Sequence, residues 1–582
     1  MVEQDKARQS VSFAIVGTGG AGAITAGSLL LEAAGKAGYA GILTRSVGPQ
    51  IRGGEAAALV RLATDTVECM PPAFDILVAI DWKNADRFLA DMPVADGGLV
   101  IADPAAGEVP RQVRETGAHV VFCPMKELAG AIDGGRENMI AVGLVARLTG
   151  LPLDVVNDVF ASKLARKGEA VVKAGLDGIA AGAGQAEGFG REYPLASAAP
   201  SKGKRWLITG NEATGLGAIR GGVRFAAAYP ITPATDVLEW LAPALQKVGG
   251  TLVQAEDELA SINMIMGASF GGRASITATS GPGLALMMEG LGLAAASETP
   301  VVVVDVMRCG PSTGIATKSE QSDLNIAVYG FHGDAPHVVL APLGVADCLF
   351  TTQWAVHVAE TLQCPAIILS DQSIGQARVL IERPADVAFI GARKTWQDGA
   401  SDQDTGYLRY AITADGVSPM ALPGTAGGQY TADGLTHAEN GNPSSRSFDQ
   451  KKQMDKRHRK VELFDFGDHW GIDEGSGDTV ILTWGSLTGA AREAARMLAA
   501  QGNSVRVVAL RQMLPFPAAP LARALGGARR ILIVEQTHAG QFHRHLRAHA
   551  DLPGEVRRLN REGPRLIGPE EITAMINEWS DQ

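Results

Sequence analysis

The sequence predicts an α/β protein of several domains, and three observations carry that prediction. Short apolar runs rich in Val, Ile and Ala alternate with helix-length segments, the pattern of parallel strands covered by helices on both faces. The runs stop at clusters of Gly, Pro and polar residues. The composition, with 70 Gly, 46% hydrophobic and 5% aromatic residues, suits many tight turns. A chain of 582 residues is long enough for roughly three or four domains of about 150 residues.

Composition also excludes function classes. A net charge of −11 argues against nucleic acid or an anionic membrane surface as the main partner. No apolar run reaches the ~18 residues of a membrane span, and the opening Met1-Val2-Glu3-Gln4-Asp5-Lys6 lacks the features of a signal peptide. The five cysteines, at 69, 123, 309, 348 and 364, form no CxxC pair. No disulfide framework, zinc site or iron–sulfur site is therefore expected, and the expected compartment is the cytoplasm.

The first segment, residues 1–180, opens with the strand-like Phe13-Ala14-Ile15-Val16. A glycine turn, Gly17-Thr18-Gly19-Gly20-Ala21-Gly22, and a helical run from Ile24 follow. Strand, G-x-G-x-x-G and helix is the context in which glycines let the backbone approach a phosphate. The next strand, Gly41-Ile42-Leu43, ends in Thr44-Arg45-Ser46 without the acid a dinucleotide ribose needs. A packing turn or another phosphate ligand is favoured over NAD. The turn-rich loop Ser46–Glu55 is either a surface turn or a lid presenting Arg52 to an anion.

Residues 181–204, dense in Ala, Gly and Ser, read as a linker. Residues 205–382 resume the alternating pattern. Residues 383–470 lose it, as an insert or linker does; Lys451–Lys460 within them reads as a solvated helix face, with docking of an acidic partner as the alternative. Residues 471–582 form a further α/β unit whose strands include Thr479–Trp484, Val505–Leu510 and Ile531–Val534.

The site hypothesis lies between Tyr229 and Asp323. Here strand-like runs lead into Tyr229-Pro230-Ile231-Thr232-Pro233, Glu256-Asp257-Glu258, Ser280-Gly281-Pro282-Gly283 and Arg308-Cys309-Gly310-Pro311-Ser312-Thr313-Gly314. Strand carboxyl ends are where such sheets bind ligands. A carboxylate at the start of a helix gains from free backbone amides, whereas one buried against an apolar cofactor is tuned toward proton exchange. The three acids could equally be ordinary first-turn residues.

Taken together, these motifs resemble the 2-oxoacid:ferredoxin oxidoreductases, and the likeness extends over most of the chain. Residues 10–180 resemble the family's Rossmann-like gamma domain. Residues 205–380 resemble its thiamine-diphosphate (pyrimidine-binding) fold, and residues 475–582 a transketolase C-terminal-like domain. The last carries Leu510-Arg511-Gln512-Met513-Leu514-Pro515-Phe516-Pro517 and Glu535-Gln536-x-x-x-Gly540-Gln541. The resemblance implies an alpha subunit with the gamma domain fused ahead of it. It implies that Glu258 bonds the cofactor's aminopyrimidine nitrogen, that Thr232 faces the 2-oxo group, and that Arg308 pairs with the substrate α-carboxylate, for which a guanidinium fork is suited. Tyr229, Pro230, Ile231, Ser280 and Gly281 would complete the pyrimidine side. Gly17, Gly19, Gly22 and Arg52 belong to a domain that in the family helps cover coenzyme A. Ser312 and Thr313 would lie at the substrate.

The diphosphate–magnesium motif is missing, as is any cysteine cluster. The resemblance therefore implies a separate beta subunit carrying Mg2+ and a [4Fe-4S] cluster, assembled as a dimer of alpha–beta heterodimers and passing electrons to ferredoxin. Ser319-Glu320-Gln321-Ser322-Asp323-Leu324, His332-Gly333-Asp334 and the segments about Asp415 and Thr425 look most like 2-oxoglutarate enzymes, which make succinyl-CoA and carbon dioxide. Pyruvate, branched-chain or aryl 2-oxoacids are the alternatives. A second substrate carboxylate needs a second cation, with Lys318, His332 and Arg409 as candidates. A nicotinamide dehydrogenase and a CoA-binding scaffold are the readings from other classes.

Overall fold

The computed structural model describes residues 7–47, 55–83, 89, 92–198, 203–397 and 406–580. Arg52, with the rest of 48–54, lies outside them. The chain forms two compact units. One comprises residues 1–209, 376–385 and 568–570; the other comprises residues 210–375, 386–567 and 571–582.

The first unit is built on an eight-stranded sheet. The strand Ser10–Thr18 pairs in parallel with Phe74–Ala79 on one side, and antiparallel with Glu55–Ala63 on the other. Glu55–Ala63 pairs in turn with Ala40–Val47. An antiparallel strand thus separates the first strand from the next parallel one, where an uninterrupted dinucleotide fold would have them adjacent. Its side chains alternate between two cores: Phe13 and Ile15 face the helices Ala23–Lys36, Glu137–Thr149 and Glu169–Ala186, while Ala14 and Val16 face the other layer. The last two helices pack closely because Gly143 and Gly182 carry no side chain. A Cβ there would stand 2.0 Å from the Ile179 carbonyl oxygen and 2.1 Å from that of Ile140. The helix Glu169–Ala186 extends six residues into the stretch read as linker. Two strands flanking the second segment, Arg205–Thr209 and Arg378–Glu382, add to this first sheet.

The second unit holds a seven-stranded sheet and a five-stranded one. Four neighbouring parallel strands of the larger sheet, Thr251–Gln254, Phe225–Ala228, Ser275–Thr279 and Val301–Met307, end on one edge. Val301, Val303 and Met307 join a core that continues into Val480, Leu482, Trp484, Ile531 and Ile533 of the smaller sheet. Val302, Val304 and Val306 pack on the opposite layer. Segments with separate strand patterns therefore share one apolar interior. The short strand Gln512–Leu514 even joins the larger sheet, pairing antiparallel with Val338–Leu340.

Among the described residues of 386–470, the helix Ser447–Glu462 and the short 3-10 helix Gly467–Trp470 interrupt what is otherwise loop. The expectation of a solvated basic face holds for Lys451 but fails for the opposite stripe. Gln453, Lys456, Arg457 and Lys460, at i, i+3, i+4 and i+7, are buried. The reason is Glu298. Its buried carboxylate accepts from Lys456 Nζ at 2.6 Å and from Lys460 Nζ at 3.1 Å, so the basic stripe answers an acid inside the same unit.

Candidate active site

Each strand end delivers one component of the site. After Phe225–Ala228 the chain turns through Tyr229–Pro233, with Tyr229 and Thr232 exposed. After Thr251–Gln254 it reaches the acidic triplet. Glu256 and Asp257 point to solvent, and Asp257 caps the following helix by accepting from the Ala260 amide at 2.7 Å. Glu258, the first residue of that helix, is buried. Burial thus singles out one acid of three.

Glu258 is seated by the third strand end. The helix Gly281–Ala296 begins directly after Ser275–Thr279. A Cβ on Gly283 would lie 2.0 Å from Thr279 Oγ1, 2.6 Å from Glu258 Cγ and 2.8 Å from Glu258 Oε1. The glycine is the space the acid occupies. A Cβ on Gly281 would lie 2.6 Å from Asp323 Oδ2. Ser280 is fully buried and its hydroxyl has no hydrogen-bond partner.

Arg308 follows the fourth strand. It is buried, donates through Nη1 to the Thr232 carbonyl oxygen at 2.7 Å, and leaves Nε without a partner. Burial lowers its affinity for a proton, while Asp323, Asp305 and Glu258 oppose that effect. Asp305 is fully buried on the strand itself, and neither of its oxygens meets a hydrogen-bond donor. Burial and the neighbouring Asp323 push its carboxyl well above the usual range. Burial raises Asp323 to about 6.

Gln321 and Gln541 fix the loop bearing Asp323. Gln321 donates to the Trp484 carbonyl oxygen at 2.9 Å and accepts from the Gln536 amide at 3.0 Å. Gln541 donates to the Ser322 carbonyl oxygen and accepts from the Asn325 amide. Glu535 accepts from the Phe542 and His543 amides, capping the helix Gln541–His549. The Glu535-Gln536 and Gly540-Gln541 motifs thus brace the site loop rather than enter it.

The other expected residues are more dispersed. Ser312 and Thr313 are exposed on the loop after Arg308. Lys318 returns to that loop, its carbonyl oxygen accepting from the Cys309 amide at 2.9 Å. His332 lies against Gly292, well along the helix that starts at the site. Arg409 is not a substrate cation: it is fully buried and donates to the backbone oxygens of Glu298 and Ser297. In the first unit, Gly22 has φ 87°, and a Cβ there would stand 2.3 Å from Asn138 Nδ2. Thr18, inside the same glycine turn, donates from its amide and hydroxyl to Asp81. Internal packing accounts for these positions.

Buried polar atoms without partners, a glycine cradle under a buried acid, and a guanidinium with an unused N–H fit a polar, heterocyclic group with an anionic substrate beside it. Asp305 was not legible as a site residue; Asp323 and Thr279 stand at motifs the sequence offers, but without a role of their own. Asp305 sits inside an apolar run, and nothing in the spacing brings 305 to 323.

Comparison with known proteins agrees. Residues 216–457 match a family described as "Pyruvate flavodoxin/ferredoxin oxidoreductase, thiamine diP-bdg". Residues 12–185 match "Pyruvate ferredoxin/flavodoxin oxidoreductase", and 468–573 match "Transketolase, C-terminal domain". A solved 2-oxoglutarate:ferredoxin oxidoreductase from Magnetococcus marinus, with 2-oxoglutarate, coenzyme A and succinyl-CoA bound, is 34% identical. The similarity covers 98% of this chain and 99% of that one, with a TM-score of 0.89. The 2-oxoglutarate synthase subunit KorA of Archaeoglobus fulgidus is 37% identical over 335 residues, 58% of this chain and 88% of that protein. The alpha subunit of 2-oxoacid:ferredoxin oxidoreductase 2 from Aeropyrum pernix is 28% identical over 93% of both.

Proposed function

The chain belongs to the 2-oxoacid:ferredoxin oxidoreductase family, thiamine-diphosphate-dependent enzymes, and from that premise we propose that it is the alpha subunit, with a fused gamma domain, of a 2-oxoglutarate:ferredoxin oxidoreductase. The reaction is the oxidative decarboxylation of 2-oxoglutarate with CoA to succinyl-CoA and carbon dioxide, electrons passing to ferredoxin. The observation that carries this reading is a buried acid, Glu258, and a buried guanidinium, Arg308, on the same strand-end edge of the larger sheet, with the ends of Phe225–Ala228 and Ser275–Thr279 between them.

Thiamine diphosphate supplies, when bound, the nucleophilic carbon and the electron sink that a 2-oxoacid needs in order to lose carbon dioxide. The chain's own part is binding, orientation and proton control. Glu258 would bond the pyrimidine nitrogen and hold its proton. Its seat against Gly283 fixes the carboxylate, and exclusion of water strengthens that bond. Arg308 would pair with the α-carboxylate through the side left open by its bond to Thr232, keeping the substrate oriented until that carboxylate leaves. Thr232, exposed on its turn, would face the 2-oxo group. Lys318, held beside Cys309, is the cation we assign to the distal carboxylate, since Arg409 is committed to the interior.

The motifs for diphosphate, metal and cluster are not in this sequence, which supports a partner beta subunit bearing Mg2+ and [4Fe-4S]. The test is co-expression with a candidate beta subunit, followed by assay of a 2-oxoacid panel with CoA and a viologen acceptor. The reading expects turnover, highest with 2-oxoglutarate, from the pair only. Substituting Lys318→Met should raise KM for 2-oxoglutarate at least tenfold and leave a monocarboxylic 2-oxoacid unchanged. A brown iron–sulfur spectrum from this chain alone would contradict the reading.

A further inference from the structure

The carboxyl pair behind Arg308 has no place in the mechanism above. Asp305 is fully buried, and both of its oxygens lack any hydrogen-bond donor. Asp323 is partly exposed as a residue, but its Oδ2 is sealed from solvent and without a donor. A buried carboxylate left without donors is costly, so nothing in ordinary packing explains two of them together. The surrounding charges are few: Arg308 from the same strand end, Glu258 from the facing helix, and Glu320 from Asp323's own loop. Glu320 is itself occupied, accepting from the Gly310 amide and the Ser322 hydroxyl. Two carboxyls in one low-dielectric space share a proton rather than both ionise. The remaining negative charge, on Asp323, interacts electrostatically with the Arg308 guanidinium, whose Nε is without a hydrogen-bond partner.

We propose that Asp323 is the resident counter-ion of Arg308, and that an incoming 2-oxoacid carboxylate takes over this role while the Asp305–Asp323 pair takes up one proton from solvent. The inference rests on the proposed function of the site. Without substrate, Asp323 neutralises a guanidinium that would otherwise be buried and uncompensated. With substrate, two anions would compete for one cation, and protonation of Asp323 removes the repulsion. Loss of the α-carboxylate as neutral carbon dioxide leaves its electron pair on the substrate, to be taken up by the electron sink the bound cofactor would supply; no carboxylate then faces Arg308, and the pair releases its proton. Asp323 is in these terms a positioning residue that sets substrate affinity through Arg308.

Linkage gives the sign. If substrate binding raises the pKa of Asp323, affinity falls as pH rises above the free-state value of about 6, by up to about tenfold per pH unit. The test is the pH dependence of KM and kcat for 2-oxoglutarate, from pH 5.5 to 8.5, in the complex with the beta subunit. Wild type should show KM rising with pH. Asp323→Asn, nearly isosteric, should give a flat profile and a KM below wild type at pH 8. Asp305→Asn, which leaves Asp323 in place beside a neutral neighbour of the same shape, should keep the inflection. A second readout needs no turnover. Because Asp323 in the folded chain holds its proton up to about pH 6, against ~3.9 when unfolded, wild type should lose stability relative to Asp323→Asn as pH climbs from 4 to 6. A KM for Asp323→Asn raised equally at every pH, or an inflection that survives in it, overturns the proposal in favour of a structural brace. Failure of the functional reading looks different: the complex would oxidise no 2-oxoacid, or Arg308→Lys would leave KM unchanged.

Discussion

At the scale of single residues, the site is decided by which side chains lose water. Glu256, Asp257 and Glu258 are equivalent as letters, yet the first two face solvent and the third is enclosed. The enclosure depends on Gly283, whose missing side chain is the volume filled by Glu258 Cγ and Thr279 Oγ1. Glu258→Gln should therefore keep the fold and lower kcat by about 10²–10⁴-fold, the range general acid–base groups contribute. Gly283→Ala is a sharper test. Its methyl group must push either the acid or Thr279 aside, costing roughly 1–3 kcal/mol by overpacking and displacing the carboxylate from its partner. Steady-state kinetics should show kcat falling about a hundredfold with unchanged far-ultraviolet circular dichroism. If Gly283→Ala is as active as wild type, the cradle is not what positions Glu258. The family resemblance is what singled out Glu258, Thr232 and Arg308 in the sequence. Asp305 was hidden because a lone acid in Val301–Met307 reads as an interruption of a strand, and only the fold brings it to Asp323.

At the scale of elements, the helix Ser447–Glu462 shows how charge patterning misleads when the partner is distant in sequence. Its basic residues read as solvated because a run of cations on one helix ordinarily faces water; the acid that answers the buried stripe, Glu298, lies 158 residues from Lys456. Glu298 has φ 52°, at the end of a helix whose preceding carbonyls bond Arg409 and Arg457. Burial pushes its carboxyl up, but Lys456, Lys460 and Arg409 outweigh that and hold it well below the usual carboxylate range. Burial in turn lowers Lys456 to about 8. Glu298→Gln would leave two ammonium groups and a guanidinium inside without an anion, so it should cost about 3–5 kcal/mol, the range for breaking a buried ion pair from one side. Urea unfolding of the isolated chain measures this. The combined Glu298→Gln, Lys456→Met variant should recover part of the loss. Because the folded pKa of Glu298 is depressed, its contribution is present above the unfolded value of ~4.3 and disappears as pH falls through the folded one. The difference between wild type and Glu298→Gln should therefore shrink under acid conditions.

At the scale of the whole molecule, segments of alternating strand and helix were readable in the sequence, but which segments share a sheet or a core was not: Arg205–Thr209 and Arg378–Glu382, read with the second segment, join the first unit's sheet. Periodicity separates residues 205–382 from 471–582, yet Val303 and Ile533 belong to one apolar cluster, because burial is shared in three dimensions while periodicity is counted along one. The same limit hid the antiparallel Glu55–Ala63, since an apolar run does not announce its direction. Under the proposed function, the diphosphate, metal and cluster motifs that this sequence lacks would come from a second chain. The surface is consistent with that. Tyr229, Leu259, Leu286 and Ile315 are large apolar side chains left exposed, each within a few residues of Thr232, Glu258, Gly281 or Arg308. Isolated exposed apolar residues need no explanation, but several beside one site suit a partner surface. If the beta subunit completes the site there, Leu259→Asp and Leu286→Asp should each place a charge in a desolvated interface. Being exposed in the free chain, neither should shift its unfolding midpoint by more than about 0.5 kcal/mol. Each should instead abolish co-purification with the beta subunit, and with it all turnover. A variant that assembles normally would move the interface elsewhere. One that assembles but does not turn over would show that Leu259 or Leu286 acts on the cofactor rather than on the partner. Apolar side chains at the mouth of a polar site thus distinguish a surface that excludes water by recruiting a second chain from one that does so alone.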